Sequence, residues 1–368
     1  MRVMLLDQYS ELGGAQRMLL DLLPALRARE WPAVAALPGD GPLWESVQAQ
    51  GFEAVPIDCG VYASGRKPAR DMSRFAGEIP RLAREIRSLA GKFQPDLLYI
   101  NGPRLLPAAA WARVRKPVLF HAHIAVSQTL ARRAAGFALA RLDAQVVTVC
   151  HAVAEAWRPF VGRDRVSVIY NGVAGPATHA SRPAARARIG CIGRIAPEKG
   201  QREFLAAAAK IHSALPESRF VICGAALFSD GAAISYERQI REAAAGLPVE
   251  FTGWTSDVYA VMANLDVLLV PSVWPEPNPR VVLEAFAASL PVIAFRAGGL
   301  PEIIEDGRTG FLCEDVEQMA RLTVTLLQGD RAGLRQVSEE ARERWRRNFT
   351  VERWQQQILG AMERVAAG

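Results

Sequence analysis

Short apolar runs alternate with longer stretches of helical period along most of this chain. A run of four or five apolar residues is typical of a strand buried on both faces, as in a parallel sheet covered by crossover helices. The pattern therefore predicts an α/β fold with open, doubly wound sheets. In the first half the predicted strands are residues 2–6, 33–37, 54–57, 97–100, 118–121, 146–149 and 166–169, with amphipathic helices at 15–29 and 75–92.

A break in this pattern divides the chain. Residues 174–187 contain two prolines and no apolar periodicity, which is typical of a linker. A length of 368 residues also exceeds what one hydrophobic core usually serves. We therefore expect two Rossmann-like domains, residues 1–183 and 184–345, with residues 346–368 forming a helix that crosses back to the first. The second domain is expected to contain strands 188–192, 220–223, 249–251, 267–271 and 292–294, a helix over 202–215, and closing helices at 337–345 and 351–365.

Composition and charge narrow the function classes. No apolar run is long enough to span a bilayer and the first residues lack a secretory signal, so we expect a cytoplasmic protein. The five cysteines are far apart, which predicts buried free thiols rather than disulfides or a zinc site. Residues 1–183 hold 23 Lys and Arg against 15 Asp and Glu, whereas the remainder hold 21 against 23. A basic first half favours an anionic partner, but aromatic residues are too sparse among the charges to predict nucleic-acid binding.

The strongest functional feature is a pair of glutamates that follows a predicted strand. Glu276 lies in a proline-rich loop, and Glu284 lies on a helix predicted to begin near Arg280. Such a loop is at the carboxyl end of a parallel strand, where ligands bind in open α/β sheets. A fixed carboxylate can accept hydrogen bonds from two hydroxyls of a sugar or a ribose. The neighbouring Trp274, prolines and apolar residues make solvated surface acids a poor alternative.

The order of the motifs resembles glycosyltransferase family 4, whose members are retaining enzymes of the GT-B fold with a Glu-x7-Glu signature. The resemblance covers nearly the whole chain. It implies two Rossmann-like domains facing across a cleft, with an acceptor on the first and a UDP- or GDP-sugar donor on the second. Besides the two glutamates, its elements are Gly13-Gly14-Ala15, Asn171-Gly172-Val173, Gly193-Arg194, Glu198-Lys199-Gly200, Gly298-Gly299-Leu300-Pro301-Glu302 and Asp306-Gly307-Arg308-Thr309-Gly310.

The same resemblance implies roles for individual residues of the second domain. The residue matching Glu276 holds the transferred sugar, and the one matching Glu284 holds the ribose. Arg194 and Lys199 match the pair that holds the diphosphate, and two fixed cations at a leaving diphosphate can replace a divalent metal. The sequence contains no Asp-x-Asp metal-binding pair, so we expect neither a metal nor another cofactor.

The first domain is expected to contribute glycines and a histidine. Gly13 and Gly14 follow the first strand and precede a helix, so their backbone is expected to approach the diphosphate or the acceptor at the helix amino terminus. The family places a histidine close to the sugar at the end of a strand. Counting from Pro117 favours His123, with His121 as the alternative. Without the resemblance, a strand histidine is more often a satisfied core residue.

The chain departs from the family pattern just after the first glutamate. Many relatives have glycine there, and the backbone N–H groups reach the donor. This chain has Pro277, Asn278 and Pro279 instead, and a proline has no N–H to offer. We expect the side chain of Asn278 to bind the donor, and the identity of the donor sugar stays open.

The expected function is metal-independent transfer of a sugar with retention, in bacterial cell-envelope polysaccharide or glycolipid synthesis. One alternative is an epimerase or a phosphorylase of the same architecture, and another is a nucleotide-sugar-binding module without turnover. An epimerase acts on the donor without an acceptor, and a phosphorylase requires inorganic phosphate. A binding module binds the donor and does not hydrolyse it.

A basic amphipathic segment suggests that the first domain binds the membrane in which a lipid-linked acceptor would lie. Residues 66–92 hold eight Lys and Arg against three acids, and Arg132-Arg133 adds another basic pair. An ordinary surface helix would explain the apolar stripe of Ile79, Leu82, Ile86 and Leu89. The excess of arginine instead favours reversible docking on an anionic membrane surface.

Overall fold

The computed structural model describes residues 1–60, 69–177, 187–226, 231–329 and 331–368. The chain divides into two compact units. The amino-terminal unit comprises Met1–Asn171 together with Glu352–Gly368, and the carboxyl-terminal unit comprises Gly172–Val351. Residues 178–186, which make up most of the predicted linker, lie outside the described part of the chain.

The amino-terminal unit contains a seven-stranded sheet in which every paired strand is parallel. Its order is β3-β2-β1-β4-β5-β6-β7, so the chain starts in the middle and winds outward in both directions. The strands are β1 Val3–Leu6, β2 Ala33–Leu37, β3 Glu53–Pro56, β4 Leu97–Ile100, β5 Val118–Ala122, β6 Gln145–Thr148 and β7 Val166–Val168.

Helices connect these strands. Each crossover must return the chain to the end of the sheet at which the parallel strands begin. For this reason helices alternate with strands. They are α1 Gly14–Ala28, α2 Pro42–Ala49, α3 Ala69–Phe93, α4 Leu106–Ala112, α5 Thr129–Arg141 and α6 His151–Val161.

The carboxyl-terminal unit repeats this plan with six parallel strands in the order β10-β9-β8-β11-β12-β13. Its strands are β8 Arg188–Ile192, β9 Arg219–Cys223, β10 Val249–Gly253, β11 Val267–Val270, β12 Val292–Phe295 and β13 Phe311–Cys313. Its helices are α7 Gln201–Ala214, α8 Gly231–Ala243, α9 Val258–Met262, α10 Arg280–Ala287, α11 Leu300–Ile303, α12 Val316–Gln328 and α13 Arg331–Asn348.

The last helix, α14 Val351–Ala367, belongs to the amino-terminal unit. Trp354 and Ile358 are buried there, the Gln355 amide donates to the carbonyl of Asp21 at 2.6 Å, and Glu363 pairs with Arg29. Burial of an aromatic and an aliphatic side chain supplies most of the attachment, since exposed ion pairs add little.

The predicted α/β fold with two parallel sheets is confirmed, because the sequence patterns reflect which faces are buried. The central strands β1, β4 and β11 are buried at every position, as expected for sheets covered on both sides. The strand β13, which the apolar runs did not predict, is only three residues long and follows a turn. All five cysteines are buried and free.

The basic amphipathic helix predicted over 75–92 is α3, and its apolar stripe faces the core of its own unit. Ile86 is fully buried in that core. Arg81 pairs with Asp58, and the guanidinium of Arg87 donates to a main-chain carbonyl of α4 at 2.7 Å. Both arginines make contacts within the protein, and membrane docking through the basic flank of this helix stays a prediction. Arg66 and Lys67 lie outside the described residues, and in the described part of the chain no helix is long and apolar enough to cross a membrane.

Gly200 joins two loops of the carboxyl-terminal unit by close backbone approach. Its φ is +74°, and a Cβ at this position would lie 1.8 Å from the carbonyl oxygen of Pro271. Gly246 has a similar φ of +86° but open space where a Cβ would be. The first glycine is therefore required by both conformation and contact, and the second by conformation alone.

This difference predicts the outcome of two matched substitutions. Gly246→Ala should cost about 1–2 kcal/mol, the usual penalty for a left-handed non-glycine residue. Gly200→Ala should cost clearly more, because the new methyl group overlaps a carbonyl oxygen that is fixed at the end of a buried strand. Urea denaturation of both variants measures the difference, and equal midpoints would contradict the described approach of these loops.

Candidate active site

Two loops of the carboxyl-terminal unit carry the predicted donor residues, and they follow adjacent strands. Residues 193–200 follow β8 and residues 271–279 follow β11, and these two strands pair directly in the sheet. In open α/β sheets the carboxyl ends of the strands form the binding edge. The order of the strands, rather than proximity in sequence, brings the two loops together.

Backbone contacts fix the two loops against each other. The N–H of Val273 donates to the carbonyl of Glu198 at 3.1 Å, and the N–H of Gly299 donates to the carbonyl of Glu276 at 2.7 Å. Gly298, with φ of +58°, lies so close that a Cβ there would be 2.4 Å from the Glu276 carbonyl oxygen. The Gly298-Gly299 motif thus holds the main chain of the Glu276 loop.

The side chains of Lys199 and Glu276 form an ion pair across the two loops. The Lys199 Nζ lies 2.5 Å from Glu276 Oε1, and the same oxygen accepts a hydrogen bond from Ser272 Oγ at 2.9 Å. The Glu276 side chain is only 13% exposed. A carboxylate so little exposed requires partners, and here it has a cation and a hydroxyl.

A second cation lies in the glycine-rich loop. Arg194 forms an ion pair with Glu198. The side chain of Gln201 forms hydrogen bonds with the main chain of the same loop. Gln201 Nε2 donates to the Arg194 carbonyl at 2.9 Å, and its Oε1 accepts from the N–H of Ala196 at 3.3 Å. Gln201 is the nearly fully buried first residue of α7. It fixes the loop in the conformation that presents Arg194.

Glu284 and Asn278 flank this pair of loops. Glu284 lies on α10, with its side chain 14% exposed and an oxygen 3.6 Å from Arg280 Nε. Asn278 is buried just before the helix, and Pro279 is its N-cap residue. The sequence placed Glu276 in a loop and Glu284 on a helix, and the structure has them there.

The amino-terminal unit has its own polar cluster at the carboxyl ends of three strands. Asp7 follows β1, Asn101 follows β4 and His123 follows β5. Asn101 Nδ2 donates to Asp7 Oδ2 at 2.6 Å, and Asn101 Oδ1 lies 2.8 Å from His123 Nε2. The sequence predicted His123 and missed the two residues behind it. A polar residue directly after a buried apolar strand was the signal that could have found them.

Gln16 connects this cluster to the predicted glycine motif. Its Nε2 lies 3.0 and 3.1 Å from the two Asp7 carboxylate oxygens, and its Oε1 accepts from the N–H of Gly13 at 3.2 Å. Gly13 is the N-cap residue of α1, and Gly14 is its first residue, with open space where a Cβ would be. The two glycines and His123 are therefore joined through Asp7.

The two candidate histidines differ in position. His121 lies within β5 and is fully buried, with Nδ1 2.5 Å from the hydroxyl oxygen of Tyr99. His123 lies just beyond the strand, and the two ring centroids are 3.9 Å apart. Burial lowers the pKa of His123 to about 3. Burial and the neighbouring His123 hold the pKa of His121 well below its usual range, so both rings are neutral at physiological pH.

Burial lowers the pKa of the two histidines but raises the pKa of the acid in the cluster, Asp7. It raises the pKa of Asp7 to about 6, against the hydrogen bonds from Asn101, the Tyr9 N–H and Gln16, which lower it. Asp7 is still mostly ionised at neutral pH. Across the described ranges, no group of three or more His, Cys, Asp or Glu residues is placed to hold a metal ion.

Comparison with known proteins gives two family matches. Residues 12–174 match the family described as Glycosyltransferase Family 4, and residues 186–329 match the family described as Glycosyl transferases group 1. The matched regions coincide with the bulk of the two units and leave out α14.

Individual proteins are also similar to this chain in sequence or in structure. Spore coat protein SA of Bacillus subtilis is 29% identical over 196 residues, covering 47% of this chain and 52% of that protein. Alpha-maltose-1-phosphate synthase of Mycolicibacterium smegmatis is 28% identical over 235 residues, covering 57% and 59%. The chain thus spans about half the length of these relatives. The Anabaena protein HepE, solved in complex with UDP-glucose, is 25% identical with a TM-score of 0.81 over 99% of each chain.

The two family matches together cover most of the sequence, and the full-length structural likeness extends through both sheets and the closing helix. The chain belongs to the glycosyltransferases and has the GT-B fold.

Proposed function

We propose that this protein transfers a sugar from a UDP- or GDP-sugar to an acceptor with retention of configuration and without a metal. The observation that carries the proposal is the pairing of Lys199 with Glu276 at the carboxyl ends of two adjacent strands. Beside it, Arg194 is paired with Glu198. Two cations and a nearly buried carboxylate at a binding edge suit a ligand that joins an anionic diphosphate to a neutral sugar.

The proposed reaction uses these groups in turn. The donor diphosphate binds Arg194 and Lys199, and Glu276 then accepts hydrogen bonds from hydroxyls of the sugar. The bond between the anomeric carbon and the diphosphate breaks while the acceptor oxygen bonds that carbon, and the acceptor proton passes to the leaving diphosphate. Fixed cations near the departing charge stabilise the transition state without reorganising, which is the role a metal plays elsewhere.

The remaining predicted residues bind the other parts of the substrates. Glu284 accepts from the ribose hydroxyls, and Asn278 supplies the side-chain hydrogen bond that a proline-flanked loop cannot supply from its backbone. Gly13 and Gly14 open a helix whose first N–H groups favour an anion. His123 meets a hydroxyl of the transferred sugar. The complex of HepE with UDP-glucose makes UDP-glucose the first donor to test.

The proposal predicts a large effect of Glu276→Gln, which keeps the shape of the side chain and removes its charge. Loss of a charged hydrogen bond to a buried ligand costs about 2–5 kcal/mol, so kcat/KM should fall about thirtyfold or more. A thermal-shift panel of UDP- and GDP-sugars selects the donor, because a ligand that binds only the folded state raises the unfolding midpoint. Transfer and donor hydrolysis are then assayed together.

Glu250→Gln is the matched control, since Glu250 is paired with Arg188 on the surface of the same unit. It should leave the rate unchanged.

Assays in EDTA should give the same wild-type rate as assays with magnesium. Wild-type turnover in Glu276→Gln, or a rate that requires metal, would overturn the proposal. Donor consumption without acceptor, or only with phosphate, would indicate an epimerase or a phosphorylase.

The proposed acceptor is lipid-linked, and the proposed process is bacterial cell-envelope polysaccharide or glycolipid synthesis. The surface around α5 has the charge and the exposed apolar side chains to bind an anionic membrane. Residues 101–150 hold seven Lys and Arg and a single acid, Asp143, which pairs with Arg165. Among the described residues, Arg133 and Arg141 pair with no carboxylate. Within the described part of the chain, this segment carries four of the eight large apolar side chains that are exposed: Trp111, Ile124, Leu130 and Phe137.

Two of these apolar residues, Leu130 and Phe137, share one face of α5. Leu130, Ala134, Phe137 and Arg141 follow each other at intervals of three or four residues, so they lie on one side of the helix. Leu130 and Phe137 are each 70% exposed. Apolar side chains flanked by unpaired arginines match the chemistry of an anionic bilayer surface. These features support α5, which carries Arg132 and Arg133, as the proposed membrane-binding surface.

Vesicle co-sedimentation tests this surface. Binding to vesicles of phosphatidylglycerol and phosphatidylcholine should weaken with salt and should be lost in Leu130→Ser/Phe137→Ser. Ile234→Ser, a change at an apolar residue of the other unit that is 60% exposed, should leave vesicle binding intact. Equal binding to neutral vesicles, no binding at all, or full binding by the double variant would contradict the proposal.

A further inference from the structure

The hydrogen bonds between Asp7, Asn101 and His123 have a direction that the structure fixes. Asn101 Nδ2 contacts both Asp7 Oδ2 and the Ala15 carbonyl oxygen, at 2.6 and 3.2 Å. A backbone carbonyl accepts only, so this side of the amide must be the NH₂ group. The amide oxygen therefore faces His123 Nε2, and that nitrogen must carry the hydrogen.

The hydrogen bonds that the Asp7 carboxylate accepts come from N–H groups. It accepts from the Tyr9 N–H at 2.9 Å, from Gln16 Nε2 and from Asn101 Nδ2. Every one of these groups is a donor, so the arrangement suits the ionised acid. Although burial raises the pKa of Asp7 to about 6, the carboxyl is still mostly ionised at neutral pH. A buried anion that is compensated only by neutral donors holds them in one orientation.

We infer that Asp7, acting through Asn101, holds His123 as the neutral Nε2–H tautomer and leaves the lone pair on Nδ1. His123 then accepts a hydrogen bond from a substrate hydroxyl and does not donate one. This consequence rests on the proposed function, whereas the tautomer itself does not. Asp7 and Asn101 are positioning residues, and the same carboxylate holds Gln16, which orients the Gly13 loop.

The inference predicts what an amide in place of the acid would do. In Asp7→Asn the Tyr9 N–H still requires an oxygen at the Oδ1 position, so the new NH₂ group takes the Oδ2 position and faces Asn101 Nδ2, which also donates. Rotation of the Asn101 amide relieves the conflict and turns its NH₂ towards His123 Nε2, which moves the ring proton to Nδ1. Asn101→Ala removes the acceptor of the Nε2 hydrogen directly, so the ring loses its fixed tautomer by an independent route.

Nitrogen NMR of ¹⁵N-histidine-labelled protein, with His123→Gln to assign the signal, measures the tautomer without any ligand. The wild type should show a protonated Nε2 and an unprotonated Nδ1. Asp7→Asn or Asn101→Ala, whichever folds with a wild-type unfolding midpoint, should shift the proton or give a mixture. Asp96→Asn is the matched control, because Asp96 accepts from the Arg2 N–H at the opposite end of β4, and it should keep the wild-type tautomer.

A protonated Nδ1 in the wild type, or a retained Nε2–H in both variants, would overturn the inference. The rate with the donor selected by thermal shift provides a second readout. Asp7→Asn should lower kcat about tenfold, the loss of roughly one hydrogen bond. His123→Ala should cost more than His121→Ala. If His123→Ala keeps wild-type turnover, the catalytic role fails while the tautomer result stands.

Discussion

All strands of each sheet run parallel, and the placement of every candidate site residue depends on that constraint. Parallel strands bring their carboxyl ends to one edge, so residues far apart in sequence meet there. Lys199 and Glu276 are paired although the elements from α7 to β11 separate them in sequence. Asp7, Asn101 and His123 meet in the same way at the edge of the other sheet. The fold supplies proximity, and the loops supply chemistry.

Burial determines how the polar groups at these edges are arranged. A carboxylate taken out of water requires partners, and the two units meet this requirement differently. Glu276 is paired with a cation, which a diphosphate can compete for when the donor binds. Asp7 is surrounded by neutral donors, and it fixes their orientation. The first arrangement suits a site that exchanges ligands, and the second suits a fixed support for His123.

The sequence predicted the fold well, because the apolar runs directly record which strands are buried. It also placed Glu276 after a strand and Glu284 on a helix, since proline and apolar periodicity mark those elements. It did not predict Asp7, Gln16 or Asn101. A polar residue directly after a buried strand was a signal for Asp7 and Asn101, but their importance comes from contacts between segments that lie up to about a hundred residues apart. The sequence also could not show that Arg81 of α3 pairs with Asp58 or that the Arg87 guanidinium bonds to the backbone of α4, because these contacts join segments far apart in sequence.

The central claim is that Arg194 and Lys199 bind the donor diphosphate. Calorimetric titration with a nucleoside and its diphosphate, uridine with UDP or guanosine with GDP, tests it most directly. The ratio of diphosphate affinity to nucleoside affinity should be about thirtyfold or more lower in Lys199→Ala than in the wild type, as loss of one charged contact implies. The nucleoside affinity should stay the same. An unchanged ratio in Lys199→Ala and in Arg194→Ala would contradict the claim.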